Sequence, residues 1–359
     1  MGTRSLLKRR LRRWQQDWHR WQQRWIEPLA EPRRRWQRWE HLDQIRSLQR
    51  VVAFEQPPQW GNPDGACDRI ALMCHYSPNG HLQRCIKRLI SSLEQTGWSV
   101  WVISSGLDAG ARAWCQEHQI GVLLRSNQGR DFGAFQDGWH QLGQLNRWGP
   151  CRQLLLLNDS VYPVVNLAES SWPQFLAGDP QAVVGFTDSY QNGYHLQSYA
   201  LNIPGPVLQQ PWWAEYWWNY PSWGNTATAI REGEIGLSQL LLRQGVALKA
   251  LHGVVELRAW LTSPELERRL LQQCSESATQ VLLQHLLESA DQAILHLSPS
   301  HQLAIPLLLQ GSPFIKRDLL ESNLCNCLDP LLIAGGDPRW IDPGELVDFL
   351  RPPVIGYKA

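Results

Sequence analysis

The 359-residue chain lacks several features that commonly declare a function. No apolar run approaches the roughly 20 residues needed to cross a bilayer. Leu154 to Leu157 and Leu307 to Leu309 are typical of its short aliphatic runs. No apolar segment follows the basic N-terminus, so no secretory leader is expected. Lys and Arg total 34 against 33 Asp and Glu, a net charge of +1. That balance argues against a globally basic nucleic-acid binder and against an acidic tail protein, and no nucleic-acid partner is expected. Also missing are Gly-x-x-x-x-Gly-Lys-Ser/Thr, His-Glu-x-x-His, Gly-x-Ser-x-Gly and a Gly-x-Gly-x-x-Gly after the first strand. ATPase, zinc-protease and α/β-hydrolase readings therefore have no motif behind them, and a dehydrogenase loses its usual fingerprint. Of eight cysteines only Cys325 and Cys327 are close-spaced, and no second pair completes a zinc site. They read as reduced thiols of a cytosolic protein.

What is present is unevenly spread. With 43% hydrophobic and 19% charged residues the chain can bury a core. Residues 1–50 hold 14 Lys/Arg and 5 Asp/Glu, a net of +9, which leaves −8 on the remainder. The same segment carries Trp14, Trp18, Trp21 and Trp25, spaced by four, three and four, which places the rings on one helical face. An aromatic face beside a basic one suits a helix lying on an anionic membrane surface. Packing of that face onto protein is the equal alternative, and RNA binding by the Arg/Trp mix is a weaker one. Peripheral attachment to the inner face of the plasma membrane would follow from the first.

Beyond a Pro/Gly-rich linker at 56–65 the pattern alternates. Apolar runs at 69–75, 98–103, 121–124, 152–157 and 182–186 read as strands, with helices at 82–94, 109–118 and from about 130. Repeated β-α-β predicts an α/β fold with a mostly parallel sheet flanked by helices. Three parts are expected: a basic helical segment at 1–58, the α/β domain at 59–260 and a helical C-terminal extension at 261–359.

Four stretches carry candidate chemistry. The turn after the third strand holds Asn127, Gly129, Arg130 and Asp131; its glycines would let backbone approach a ligand, and Arg130 could pair with phosphate. A local Arg130–Asp131 pair is the plainer account. The fourth strand runs straight into Asn158 and Asp159, and a carboxylate there would sit in the ligand crevice of such a sheet. It could equally cap a turn. Glu234 opens an apolar helix, where the helix dipole would stabilise its charge. His252 follows a short apolar stretch and is most simply structural. After the fifth strand, Asp188, His195, Gln197 and Ser198 would face a sugar or an acceptor, or else form a satisfied polar loop. The Trp212, Trp213, Trp217, Trp218 and Trp223 cluster could stack on sugar rings, but core packing explains most of it.

In order, these stretches resemble a nucleotide-sugar glycosyltransferase of the GT-A kind, and more closely the rhamnan synthesis protein F family of bacterial polysaccharide glycosyltransferases. The carrying residues are His75-Tyr76, Asn127 to Ala134, Asn158-Asp159-Ser160, His195 to Tyr199, Glu234 with Leu237 and Gly245, and Pro313-Phe314-Ile315-Lys316-Arg317. The resemblance implies a GT-A-like Rossmann-type domain. It implies transfer of a sugar, such as rhamnose from dTDP-rhamnose, to a hydroxyl of a surface polysaccharide or lipid-linked glycan, with inversion. Glu234 would be the general base. Asn127, Gly129, Arg130, Asp131, Asn158 and Asp159 would hold the donor. Mg²⁺ or Mn²⁺ would be held by Asp159, with His252 as a second ligand, although a full Asp-x-Asp is absent. The rivals are a non-catalytic carbohydrate-binding or assembly protein on a decayed transferase fold, and a nucleotidyltransferase, which would want more carboxylates.

Overall fold

A computed structural model of the chain describes residues 51–55, 68–222, 226–273 and 298–321. The chain divides into two compact units, Met1–Gln49 and Arg50–Ala359, and all the described residues belong to the second. The basic Trp-rich segment before residue 51, the 56–65 linker, Trp223, and Cys67, Cys274, Cys325 and Cys327 lie outside the described residues, as does most of the helical extension expected over 261–359.

The centre of the molecule is a mixed sheet. Its strands are β1 (Val51–Glu55), β2 (Arg69–His75), β3 (Ser99–Ser104), β4 (Gly121–Arg125), β5 (Gln153–Asn158), β7 (Ala182–Ser189), β9 (Ala200–Pro204) and β10 (Ala247–His252). They lie in the order β1-β4-β3-β2-β5-β9-β7-β10, and the short β8 (His195–Leu196) pairs with β7. β4, β3, β2 and β5 are parallel neighbours. β9 runs against both β5 and β7, and β10 is parallel to β7. Six of the eight strands thus end on the same edge. A separate two-stranded ribbon joins β6 (Val161–Pro163) to β11 (Phe314–Lys316). β1 pairs antiparallel with β4, so the sheet begins at residue 51, inside the segment expected to be helical. The Val51-Val52-Ala53-Phe54 run has the β-branched and aromatic character of a strand.

Near-continuous apolar strands are needed because both faces of this sheet are covered. With a side-chain period of two, Leu154 and Leu156 enter one core while Leu155 and Leu157 enter the other. On the second face lie α1 (Arg84–Gln95) and α2 (Ala109–Glu117). α1 buries Cys85, Ile86, Leu89, Ile90 and Leu93, one stripe at helical spacing. α2 is started by Asp108, whose Oδ1 accepts from the Ala111 N–H at 2.7 Å. On the first face lie α3 (Arg130–Gln144) and α4 (Pro211–Asn219), which meet in an aromatic cluster. Trp213 and Trp217 are fully buried there, Trp217 stacks near Phe132 and Trp213 meets Trp139 edge-on. Gln136 Nε2 donates to the carbonyls of Trp217 and Tyr220, tying α3 to α4. Truncating either buried Trp to Ala would cost about 3–5 kcal/mol.

The C-terminal part is not an appendage. Leu303, Leu307, Leu308, Phe314 and Ile315 belong to the same core as Trp172, Phe186 and Tyr199 of the sheet layer. The expected division at residue 261 is therefore replaced by a return of residues 298–321 into the α/β body. Apolar residues of this stretch bury themselves in the same core as those of α1 and α6 (Val254–Leu261).

Candidate functional site

Strand order sets the place. β2 leads through α1 to β3 and through α2 to β4 on one side, whereas α3 carries the chain back to β5 on the other side of β2. Loops at the carboxyl ends of β2 and β5 therefore diverge and leave a crevice, the usual ligand position in such sheets. A cleft of about 1190 Å³ opens there. Cys74 and Tyr76 from the end of β2 and Asn158, Asp159 and Ser160 from the end of β5 line it.

The turn after β5 is built from its own side chains. Asn158 Nδ2 donates to Asp131 Oδ2 at 3.0 Å, and its Oδ1 accepts from the Ser160 N–H at 3.1 Å. Asp159 Oδ2 accepts from the Tyr76 N–H at 2.8 Å and from Arg317 Nη1 at 3.3 Å. Burial pushes the Asp159 carboxyl above its usual range, and Arg317 pulls it back down. The Cys74 thiol beside it is pushed well up, by burial first and then by the Asp159 and Asp131 charges, so it is a poor nucleophile.

The turn after β4 is held by a buried ion pair: Arg125 Nε donates to Asp137 Oδ2 at 2.5 Å, and its guanidinium also binds the Gln128 carbonyl. The glycines here are required by close packing. Gly129 has φ +76°, and a Cβ on it would lie 2.6 Å from Ser222 Cβ; one on Gly133 would lie 2.4 Å from the Gln128 carbonyl. Arg130 also holds left-handed backbone, φ 53°, which is costly for a residue with a side chain. It is exposed at the cleft and makes no ion pair with Asp131, which turns to Asn158 instead. The Asp131 carboxyl is raised, by burial first and then by the Glu234 charge.

Across the cleft stands Glu234. It does not open a helix: a short α-helical piece at Thr226–Thr228 and a π-helical stretch at Ala229–Ile235 precede α5 (Gly236–Arg243), so Glu234 lies well inside the run. The helix dipole, which acts within the first turn, does not hold its charge there. The wide π turn is instead the kind of local distortion often found where a side chain must be aimed. Glu234 Oε1 accepts from the Ser198 N–H at 2.6 Å. Its Oε2 faces His195 Nε2 at 3.8 Å and accepts no hydrogen bond among the described residues. His195 Nδ1 donates to the Gly193 carbonyl at 2.8 Å, which orients the ring.

Ten expected residues thus share one cleft: Asn127, Gly129, Arg130, Asp131, Asn158, Asp159, His195, Gln197, Ser198 and Glu234. Gln197 is there mainly as structure, since its Oε1 accepts from Thr187 Oγ1 at 2.7 Å and its Nε2 donates to Ser300 Oγ at 3.2 Å. Two do not join them. Asp188 Oδ1 accepts from the Val254 N–H at 2.7 Å and so starts α6; its side chain lies outside the lining. His252 pairs with Ser171 Oγ at 2.8 Å in the core, where burial lowers its pKa. No tryptophan lines the cleft among the described residues, and Trp218 is exposed on the outer side of α4.

Without His252 the donor set for Mg²⁺ or Mn²⁺ does not fit. Asp159 is already ion-paired to a guanidinium, Asn158 Oδ1 is taken by Ser160, and no group of three acidic, His or Cys side chains is placed to hold an ion among the described residues. Cations stand there instead. Lys316 and Arg317, with His301 and Asp318, line the cleft from the returning C-terminal segment. None of these was assigned a role from sequence, although two charges directly after the apolar Phe314-Ile315 are the signal of a strand delivering side chains to an edge.

Compared with known proteins, the chain matches no family model and no curated sequence. Among the described residues no helix is long and apolar enough to cross a membrane.

Proposed function

We propose that the protein is a GT-A-like glycosyltransferase that moves a sugar from a nucleotide donor to an acceptor hydroxyl with inversion. One observation carries the reading: a strand of four consecutive leucines and a π-helical turn deliver Asp159 and Glu234 to the same cleft of about 1190 Å³ at the switch point of an α/β sheet. The resemblance to rhamnan synthesis proteins suggests rhamnose from dTDP-rhamnose and a cell-surface polysaccharide or lipid-linked glycan as acceptor. The −8 net charge outside residues 1–50 would leave the basic N-terminal segment to meet an anionic membrane.

In this mechanism Glu234 Oε2 takes the proton of the acceptor hydroxyl. The oxygen bonds to the anomeric carbon from the face opposite the diphosphate. The bond from that carbon to the phosphate oxygen breaks, and its electron pair leaves on the diphosphate. Ser198 N–H holds Oε1 and leaves Oε2 to the acceptor. Such general-base help contributes about 10²–10⁴-fold.

Thermal denaturation against nucleotides and nucleotide sugars tests the reading. A true donor at a hundredfold excess over its dissociation constant stabilises by about 2.7 kcal/mol. Stabilisation by none of the nucleotide sugars would defeat the proposal, whereas stabilisation without sugar transfer would favour the binding-protein alternative.

A further inference from the structure

We infer that Lys316 and Arg317 form a fixed cation pair that receives the diphosphate of the donor, in place of a resident divalent ion. The inference rests on the nucleotide-sugar reading and assigns a role to two residues outside it.

The backbone places the pair. β11 aligns Lys316 with Val161 of β6, and the Arg317 N–H donates to the Ser160 carbonyl at 2.9 Å. Both cations are thereby bound to the turn that follows Asp159. Phe314 and Ile315, buried in the core, anchor the strand behind them. The arrangement is therefore rigid before any ligand arrives, as electrostatic stabilisation of a leaving group requires.

Lys316 has too few partners for its charge. Its Nζ donates to Ser160 Oγ at 3.0 Å and lies 5.4 Å from the Tyr199 ring centre. No carboxylate of the described residues comes within 4.0 Å of it. An ammonium carries three N–H donors, and one neutral hydrogen-bond partner at a half-buried position leaves its charge poorly answered. Burial accordingly lowers its pKa, and the charges of Glu234, Asp318 and Asp131 raise it in part. A bound anion would supply the missing partner. Arg317 is oriented beside it: one nitrogen reaches both Asp159 Oδ2, at 3.3 Å, and the Tyr76 carbonyl, at 3.5 Å. The guanidinium fork has five N–H donors and suits phosphate oxygens. Arg130, exposed at the same cleft, completes the basic side.

Calorimetric titration of the full chain with thymidine, dTDP and UDP tests this, in excess EDTA and again in excess Mg²⁺. At least one diphosphate is expected to bind in EDTA about as well as in Mg²⁺. Lys316→Gln is expected to weaken that diphosphate roughly 10- to 100-fold, the worth of one or two charge-assisted hydrogen bonds, and to leave thymidine binding unchanged. Lys316→Arg should recover part of the loss. Melting curves of both variants show whether they are folded. Diphosphate binding only in Mg²⁺ would overturn the cation-pair assignment and spare the transferase reading. An equal loss of nucleoside and diphosphate in both variants would do the same, by making Lys316 a structural tie. Binding of neither diphosphate in any condition would overturn the cation-pair assignment and leave the transferase reading to the wider nucleotide-sugar panel.

Discussion

On the β5 wall of the cleft, Asp159 gives one oxygen to the Tyr76 N–H and to Arg317, so its charge is already answered by protein. On the helical wall, Glu234 is held by a single N–H on Oε1 and keeps Oε2 open to the cleft. Two carboxylates in one cavity are therefore not equivalent. The first orients a cation, and the second keeps an oxygen open, as the proposed general base requires. The difference arises from what packs behind each: a returning C-terminal strand brings Arg317 into direct contact with Asp159, whereas Glu234 is met by the Ser198 N–H and His195 and feels Lys316 only as a charge at longer range.

Substitution at the two walls should separate these roles. Glu234→Gln keeps an acceptor oxygen for Ser198 but loses the base, and turnover should fall by about 10²–10⁴-fold with nucleotide binding unchanged. Steady-state kinetics beside calorimetry checks this; normal turnover would remove Glu234 from the mechanism. Asp159→Asn should do the reverse. Arg317 loses the charge that orients it, so donor affinity should drop about tenfold, or 1.4 kcal/mol, while turnover at saturation changes little. A variant that bound the donor more tightly would show that Asp159 only competes with it.

The smallest effect lies outside both walls. His75 and His252 are buried, and burial lowers both pKa values. Each stays neutral in the fold while the unfolded chain binds a proton below about pH 6.5. Their contribution to stability is therefore complete above that pH and is lost as pH falls toward the lowered values. Each tenfold drop in a ring's proton affinity on folding makes that loss about 1.4 kcal/mol larger. Asp131 and Asp159, raised by burial, act the other way at more acid pH, because protonation relieves the cost of burying their charge. Melts between about pH 8 and pH 5 should show the decline, and His252→Gln should make it shallower, by at most one proton. An unchanged slope would mean that His252 already titrates normally.

Much of this could be read from local pattern. The alternation of 69–75, 99–104, 121–125 and 153–158 with helices is written in apolar runs and helical spacing, because strands covered on both faces must be apolar throughout. Ten of the twelve candidate site residues meet in one cleft because strand ends and the loops after them fall on one edge of a parallel sheet. The two that do not, Asp188 and His252, were polar residues near strand ends whose partners, the Val254 N–H and Ser171, come from elsewhere in the chain. Nothing local distinguishes them from Asp159.

From the sequence alone follow the α/β class, the acid at the end of the leucine strand and the burial of Trp213 and Trp217, since each depends on composition and period over a few neighbouring residues. The tertiary structure decided that β9 runs antiparallel between β5 and β7, that Glu234 sits on a π turn within a longer helix, and that residues 298–321 come back to set Lys316 and Arg317 beside Asp159. Those outcomes depend on which apolar surfaces meet across more than a hundred residues, and a pairing over that distance leaves no periodic trace in the segments that make it.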